Sequence, residues 1–274
     1  MDLKFKKMTS MFKKLFSNKE TDITAEIKSK IVLADTYLNN SFHIETQKAT
    51  QQEIEKRPFR YDIINEIISS FPKERNISYL EIGVRNPEEN FDKIMAADKS
   101  SVDPGIEAEI NKADFPYTSD DFFTKLESGE IAKYSSDYKF DVIFIDGLHL
   151  ANQVERDIFN ALNHIKDDGF IIMHDCNPPT EFHAAENYYY RLSPSKDFWN
   201  GTTWKAFFKY RQLKDIFSCC IDTDWGIGII CKHKNLGYPT KTVNPFFEYY
   251  IFNENRKDSL NLISFDDFQK ILHQ

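Results

Sequence analysis

The sequence lacks any apolar run approaching the roughly 20 residues a membrane-spanning helix needs. It also lacks the continuous apolar stretch near its first residue that would mark a secretory signal. Cysteine is scarce. Cys176, Cys219, Cys220 and Cys231 show no zinc-finger spacing, and two adjacent cysteines make a poor disulfide framework. A reducing cytoplasmic setting is therefore expected. Positive charge is in deficit, with a net −8 over 274 residues, so nucleic acid is not an expected partner. No internal repeat or low-complexity segment is present.

What remains is enough for one sizeable α/β domain with appendages, or for two small domains. Aromatic residues are abundant, with 24 Phe and 13 Tyr, which suits an aromatic-rich core. Residues 1–20 stand apart. Lys4, Lys6, Lys7, Lys13, Lys14 and Lys19 face only Asp2 and Glu20. Phe5, Met8, Phe12, Leu15 and Phe16 recur at helical spacing. Two readings stay open here: a basic amphipathic helix on the inner face of a membrane, or a frayed or partner-packed terminal helix. Residues 21–55 read as a helical, polar extension, so that 1–55 precede a core domain at 56–235 and a helical tail at 236–274.

The core alternates strands and helices. The helix starting at Arg60 stops at Pro72, and a strand follows at 77–83. A helix is expected at 87–97, a short strand at 100–103, and a helix from Ser119, with Ser119 as its N-cap. Strands at 140–146 and 169–174 flank a helix at 151–166. That helix carries Val154, Ile158, Ala161, Leu162 and Ile165 as one stripe, with Gly169 as its left-handed terminator. Helices at 181–192 and 203–212 precede strands at 215–222 and 225–232, joined by a hairpin-like connection. In the second of those helices, Trp204 reads as core. The pattern predicts a doubly wound, mostly parallel sheet with an antiparallel edge hairpin at its C-terminal end.

Such a sheet keeps its chemistry beyond the carboxyl ends of its strands. Asp146 and Asp175 both emerge there, each with a histidine close by, His149 and His174. Neighbouring strands would bring the two carboxylates to roughly 5 Å, where a divalent cation is the usual counter-charge. At the first strand, Tyr79, Leu80, Glu81, Ile82 and Gly83 run into a tight turn. Asp103 follows Glu81 by 22 residues, close to the usual offset of an acid that holds a ribose. After Gly83 come Val84, Arg85, Asn86 and Pro87. That loop lacks the glycines a pyrophosphate needs, which argues against a nicotinamide-dependent oxidoreductase.

Together, Tyr79–Val84, Val102–Gly105, Ile145–His149 and His174–Pro178 resemble class I S-adenosylmethionine-dependent methyltransferases. The resemblance covers residues 60–232. It is greatest for the metal-dependent small-molecule O-methyltransferases of the macrolide-sugar and catechol kinds. It implies a Rossmann-like sheet. It implies Glu81 and Gly83 at the methionine moiety of the cofactor, Asp103 at the ribose hydroxyls, and Ser119 and Asp120 at the adenine. It implies Asp146 and Asp175 as metal ligands and His149 as base. For the third ligand the chain departs from both kinds. The catechol enzymes carry asparagine directly after the second aspartate, where Cys176 stands here and Asn177 is one further on. The macrolide-sugar enzymes carry an acid directly before it, where His174 stands. Asn177 suits a magnesium-like ion and His174 a softer one.

The expected function is therefore O-methyl transfer to a hydroxylated small molecule, a sugar or glycan precursor, with magnesium or another divalent metal. A homo-oligomer is left open. A non-catalytic binding or scaffolding module on the same fold is the alternative.

Overall fold

A computed structural model describes residues 23–107 and 109–274. The basic stripe of residues 1–20 lies outside the described residues. The chain divides into two compact units, Met1–Lys48 and Ala49–Gln274. In the first, residues 23–38 form a helix (α1) with Ile23, Ile27 and Ile31 exposed. Helix α2, Ser41–Glu55, runs through the division. The expected tail at 236–274 belongs to the second unit.

The second unit is built on seven strands. They are β1 (Ser78–Ile82), β2 (Asp98–Val102), β3 (Phe140–Ile145), β4 (Ile165–Met173), β5 (Phe217–Ile221), β6 (Ile227–Cys231) and β7 (Leu262–Ile263). Their order is β2-β1-β3-β4-β6-β5-β7. The first four are mutually parallel, and β6 runs antiparallel to both β4 and β5. The expected hairpin is present. The edge beyond it is β7, a two-residue strand from the C-terminal segment that pairs parallel with β5. This is a doubly wound, Rossmann-like sheet.

Side chains alternate across a strand, so each strand feeds two cores. Leu80, Ile82, Ile143, Ile145, Ile171 and Met173 meet helices α4 (Ser119–Glu127), α5 (Ala151–His164) and α6 (Thr203–Tyr210) on one face. Tyr79, Val142, Phe144, Phe170 and Ile172 meet α3 (Arg60–Ser69) and α9 (Phe265–Leu272) on the other. The segment between β6 and α9 adds α7 (Tyr249–Glu254) and α8 (Arg256–Leu260), with Phe252 and Leu260 fully buried. Trp204 is core, 1% exposed against Phe252. Helix covers both faces, and an all-buried parallel sheet requires that.

Four local expectations change. Residues 87–97 form two 3₁₀ turns, Pro87–Glu89 and Phe91–Lys93, rather than a helix. Asn90 breaks between them, its amide spent on Glu81 Oε2 at 2.8 Å. The 181–192 segment holds only the short Tyr190–Leu192 turn. Its carbonyls serve distant partners: His183 O takes the Asn200 and Gly201 N–H groups, and Ala185 O takes the Trp199 indole. Helix α4 is capped by Thr118, whose hydroxyl accepts from Asp121 N, rather than by Ser119. Gly169 does not terminate α5. It lies in β4, where Ile165 pairs Phe140 and Phe170 pairs Val142, so residues 166–169 bulge between. The bulge places Lys166 on the buried Asp141 at 2.8 Å, a carboxylate that also takes Arg75 and Ser78. Among the described residues no helix is long and apolar enough to cross a membrane.

Candidate active site

The chain runs from β1 outward to β2 and then returns to β3 on the opposite side. That reversal opens a crevice at the carboxyl ends of β1 and β3, where such sheets bind ligands. Here the crevice is a cleft of about 860 Å³. Hydrogen bonds carry the ladder past the strand ends: Gly83 N to Val102 O, Asp146 N to Ile82 O, and His174 N to Ile145 O, at 2.8, 2.8 and 3.1 Å. The cleft floor is thereby fixed by backbone.

Gly83 turns the chain at φ +88°, and a Cβ there would fall 2.2 Å from the Asp146 carbonyl oxygen. Only glycine allows β1 and β3 to end so close together. Glu81, 2% exposed, accepts hydrogen bonds from Tyr79 Oη (2.6 Å) and Asn90 Nδ2 (2.8 Å) on one oxygen. Burial pushes its carboxyl up to about 7, against the pull of those two donors. Asp103 is held at the rim by the N–H groups of Arg85 (2.9 Å) and Gly105 (2.6 Å), which each take one oxygen. The outer lone pairs of that carboxylate stay free to accept from a diol.

Ser119 lines the cleft, with its hydroxyl donated to Asp157 at 2.5 Å. Asp120 does not line it. Its carboxylate lies on the surface against Arg156 at 3.1 Å.

At the other end, carboxylates and imidazoles converge. His149 Nδ1 lies 3.0 Å from the Trp199 carbonyl and 3.2 Å from Asp175 Oδ2, and its Nε2 lies 3.5 Å from Asp146 Oδ1. His174 Nδ1 sits 3.3 Å from Asp146 and 3.2 Å from Asp175, and its Nε2 3.4 Å from Asp224. Arg60, the first residue of α3, places its guanidinium 3.1 Å from His174 Nε2 and 3.7 Å from Asp146. Burial would lower His149, but Asp175 and Asp146 outweigh it and raise the imidazole to about 9. Burial would raise Asp146, but His174, His149 and Arg60 hold it well below the carboxylate range.

Asp146, His149 and Asp175 each offer an atom within 4.8 Å of the others. Two carboxylate oxygens and one imidazole nitrogen fit a divalent ion that accepts mixed donors. His174 touches both carboxylates from behind, where a residue orients ligands. Asn177 faces elsewhere: its amide donates to Asp222 at 3.1 Å and its oxygen accepts from Arg256 at 2.5 Å.

The backbone around this cluster is held in unusual conformations. Asp175, Asp224 and Trp225 are non-glycine residues with φ of 61°, 44° and 64°. Such residues concentrate at functional sites, where surrounding contacts hold them. Asp175 Oδ1 accepts from Asn200 Nδ2 at 2.8 Å, and Asp224 Oδ2 caps α3 through Arg60 N at 2.7 Å. The remaining wall is aromatic. Trp199 stacks on His149 at 5.5 Å, and Phe198 stacks on Trp225 at 5.2 Å. Sequence reasoning missed Arg60, Asp224, Phe198, Trp199 and Trp225. One available signal was Asp224, Trp225 and Gly226, a turn directly preceding a strand.

Residues 80–176 match a family model described as a methyltransferase domain. No curated protein sequence matches the chain. Among solved structures, MycE, a methyltransferase of mycinamycin biosynthesis in complex with Mg, S-adenosylhomocysteine (SAH) and mycinamycin VI, is 12% identical with a TM-score of 0.41. That match covers 77% of this chain, which spans only 59% of MycE. An O-methyltransferase from Bacillus cereus in complex with SAH is 14% identical at a TM-score of 0.42, over 73% of this chain and 97% of that one. The Podospora anserina methyltransferase PaMTH1, also SAH-bound, is 14% identical at 0.42, over 76% and 96%.

Proposed function

Starting from the methyltransferase domain matched at residues 80–176, we propose that this protein moves the methyl group of S-adenosylmethionine to a hydroxyl of a small, sugar-like acceptor in the cytoplasm. One observation carries the reading. Glu81, Gly83 and Asp103 line the same cleft as Asp146, His149 and Asp175, at the carboxyl ends of adjacent strands. A donor-binding end and a proton-accepting end thus share one cavity.

Glu81 and the Gly83 turn would receive the methionine moiety, and Asp103 the ribose diol. Methyl transfer is an in-line displacement, so alignment of nucleophile and sulfonium governs the rate. Asp146 and Asp175 would hold a divalent ion, whose charge lowers the pKa of the acceptor hydroxyl. His149 would keep one proton on Nδ1, toward the Trp199 carbonyl, and take the hydroxyl proton on Nε2. Wedged between two carboxylates it is a cation, and positive charge added beside them favours its release of a proton. The aromatic faces of Phe198, Trp199 and Trp225 suit the C–H face of a sugar ring, with polar groups at its edge.

A scaffolding role has one observation in its favour. The turn after Gly83 is crowded, with Arg85 at φ 37° and Pro87 behind it, where close backbone approach to a ligand favours glycine.

Calorimetric titration with SAH, with and without magnesium or manganese, tests the reading. Micromolar binding that Asp103→Ala weakens at least about tenfold, as loss of hydrogen bonds to a charged acceptor should, is expected. Methylation of hydroxylated sugars by the wild type should then follow. Absence of binding under all conditions would overturn the donor assignment, and binding without methylation of any hydroxylated acceptor would favour the scaffold.

A further inference from the structure

A second cavity, of about 680 Å³, shares no lining residue with the cleft. Helices α5 and α6 and the loop 240–247 between β6 and α7 line it. In a chain of net charge −8 it gathers three lysines, Lys205 and Lys209 one turn apart on α6 and Lys241 on the loop. The one carboxylate in the lining, Glu155, is spent on Lys209. Among the described residues neither Lys205 nor Lys241 has an ion pair, although the Lys205 ammonium rests 5.8 Å from the Trp204 ring centroid. Like charges held around one space repel, and an anion received among them reverses the sign.

The loop is fixed in shape although it is neither helix nor strand. Asp258 Oδ2 accepts from Thr240 Oγ1 (2.7 Å), Lys241 N (2.9 Å), Thr242 N (2.8 Å) and Thr242 Oγ1 (2.7 Å). Asn244 clamps the far end, its Nδ2 donating to Glu248 O and its Oδ1 accepting from Glu248 N, both at 2.9 Å. A loop tied down at both ends does not have to be ordered by its ligand.

The lining says what ligand fits. Lysine meets phosphate as a point charge, and two ammonium groups without carboxylates match the two charges of a phosphate monoester. Ala206, Val243, Pro245 and Phe247 add an apolar surface. The volume falls in the roughly 300–1,000 Å³ of small-molecule sites, which leaves room for an organic body beyond the phosphate.

We propose that this cavity binds a phosphate monoester with an apolar body, its phosphate among Lys205, Lys209 and Lys241 and its body against Val243 and Phe247. The inference does not rest on the methyl-donor reading.

Calorimetric titration of the full chain with hexyl phosphate, hexanol and inorganic phosphate tests it. Hexyl phosphate should bind at least about tenfold tighter than either, because each of the others lacks the charge or the apolar burial. Lys205→Gln and Lys241→Gln should each weaken it about fivefold to tenfold. Lys139→Gln, the same charge change just ahead of β3, should leave it within about twofold. Dihexanoyl phosphatidic acid then separates the two sources of such a group: tighter binding than hexyl phosphate identifies a lipid headgroup, and weaker binding a soluble ester. Absence of hexyl phosphate binding at about 1 mM overturns the proposal. So does equal affinity for hexanol or inorganic phosphate, or a loss in Lys139→Gln as large as in the cavity variants. Binding that survives both cavity substitutions overturns it as well.

Discussion

Replacing Glu81 by Gln should make the protein more stable relative to wild type as pH rises. The carboxyl moves from 4.5 in the unfolded chain to about 7 in the fold. A raised value means the folded state holds its proton more tightly. The associated stability is fully present below 4.5, is lost as pH climbs, and is gone above about 7. At about 1.36 kcal/mol per unit, the loss is about 1 kcal/mol at pH 5 and about 3 kcal/mol at pH 8. Glu81 is 2% exposed, so solvent screening takes little from this figure. Glutamine mimics the protonated acid. Its carbonyl oxygen can accept from Tyr79 and Asn90, and its amide faces the cleft, with no proton to lose. Urea unfolding of both proteins at pH 5, 6, 7 and 8 measures the difference. The Gln variant should gain about 2 kcal/mol on wild type between pH 5 and pH 8. Parallel stability curves would refute the reasoning, because they would mean that the Glu81 carboxylate pays no penalty for burial.

Gly201→Ala would drive a Cβ to 2.1 Å from the His149 carbonyl at φ +60°, so methyl transfer should fall at least about tenfold while SAH affinity stays within about twofold. Initial rates beside calorimetry check this. Asp141→Asn removes the buried partner of Arg75 and Lys166 and should cost about 3 kcal/mol in urea unfolding at pH 7. Burial opposes the ionised carboxylate, but Lys166 and Ser78 hold its pKa below 3.8, so this stability is present above 3.8 and the difference should vanish as pH falls further. Arg60→Met removes one of the two cations that Asp146 and Asp224 share, His174 being the other, and should cost about 2 kcal/mol at pH 7, read by the same unfolding assay.

The sheet was legible because β1, β3, β4 and β6 are short apolar runs that end at Gly83, Asp146, His174 and Lys232. Helix α5 was legible because its stripe is local. Two of the failures are segments whose backbone is held by something far along the chain. The expected helix at 181–192 loses its carbonyls to residues 195–201. The expected end of α5 at Gly169 gives way to the bulge at 166–169, drawn to Asp141. Periodicity describes a segment's own faces and carries no term for such partners.

The site divides along the same line. Asp146, His149 and Asp175 were readable as neighbours because each lies within four residues of a strand's end, and a strand's end fixes where the next residues emerge. Arg60 and Asp224 were not, because they reach the cluster from helix α3 and the β5–β6 loop, joined to each other by a hydrogen bond spanning 164 residues. The third ligand shows how little local sequence can decide here. The resemblance left two candidates, His174 directly before Asp175 and Asn177 two residues after it. At Asp175 the backbone enters the left-handed region at φ 61°, and the next two N–H groups are bonded to Gly226 O and Trp225 O. That turn leaves His174 against both carboxylates and carries Asn177 to Asp222 and Arg256. A left-handed turn, held by a loop fifty residues downstream, thus accompanies the choice of which neighbour faces the site.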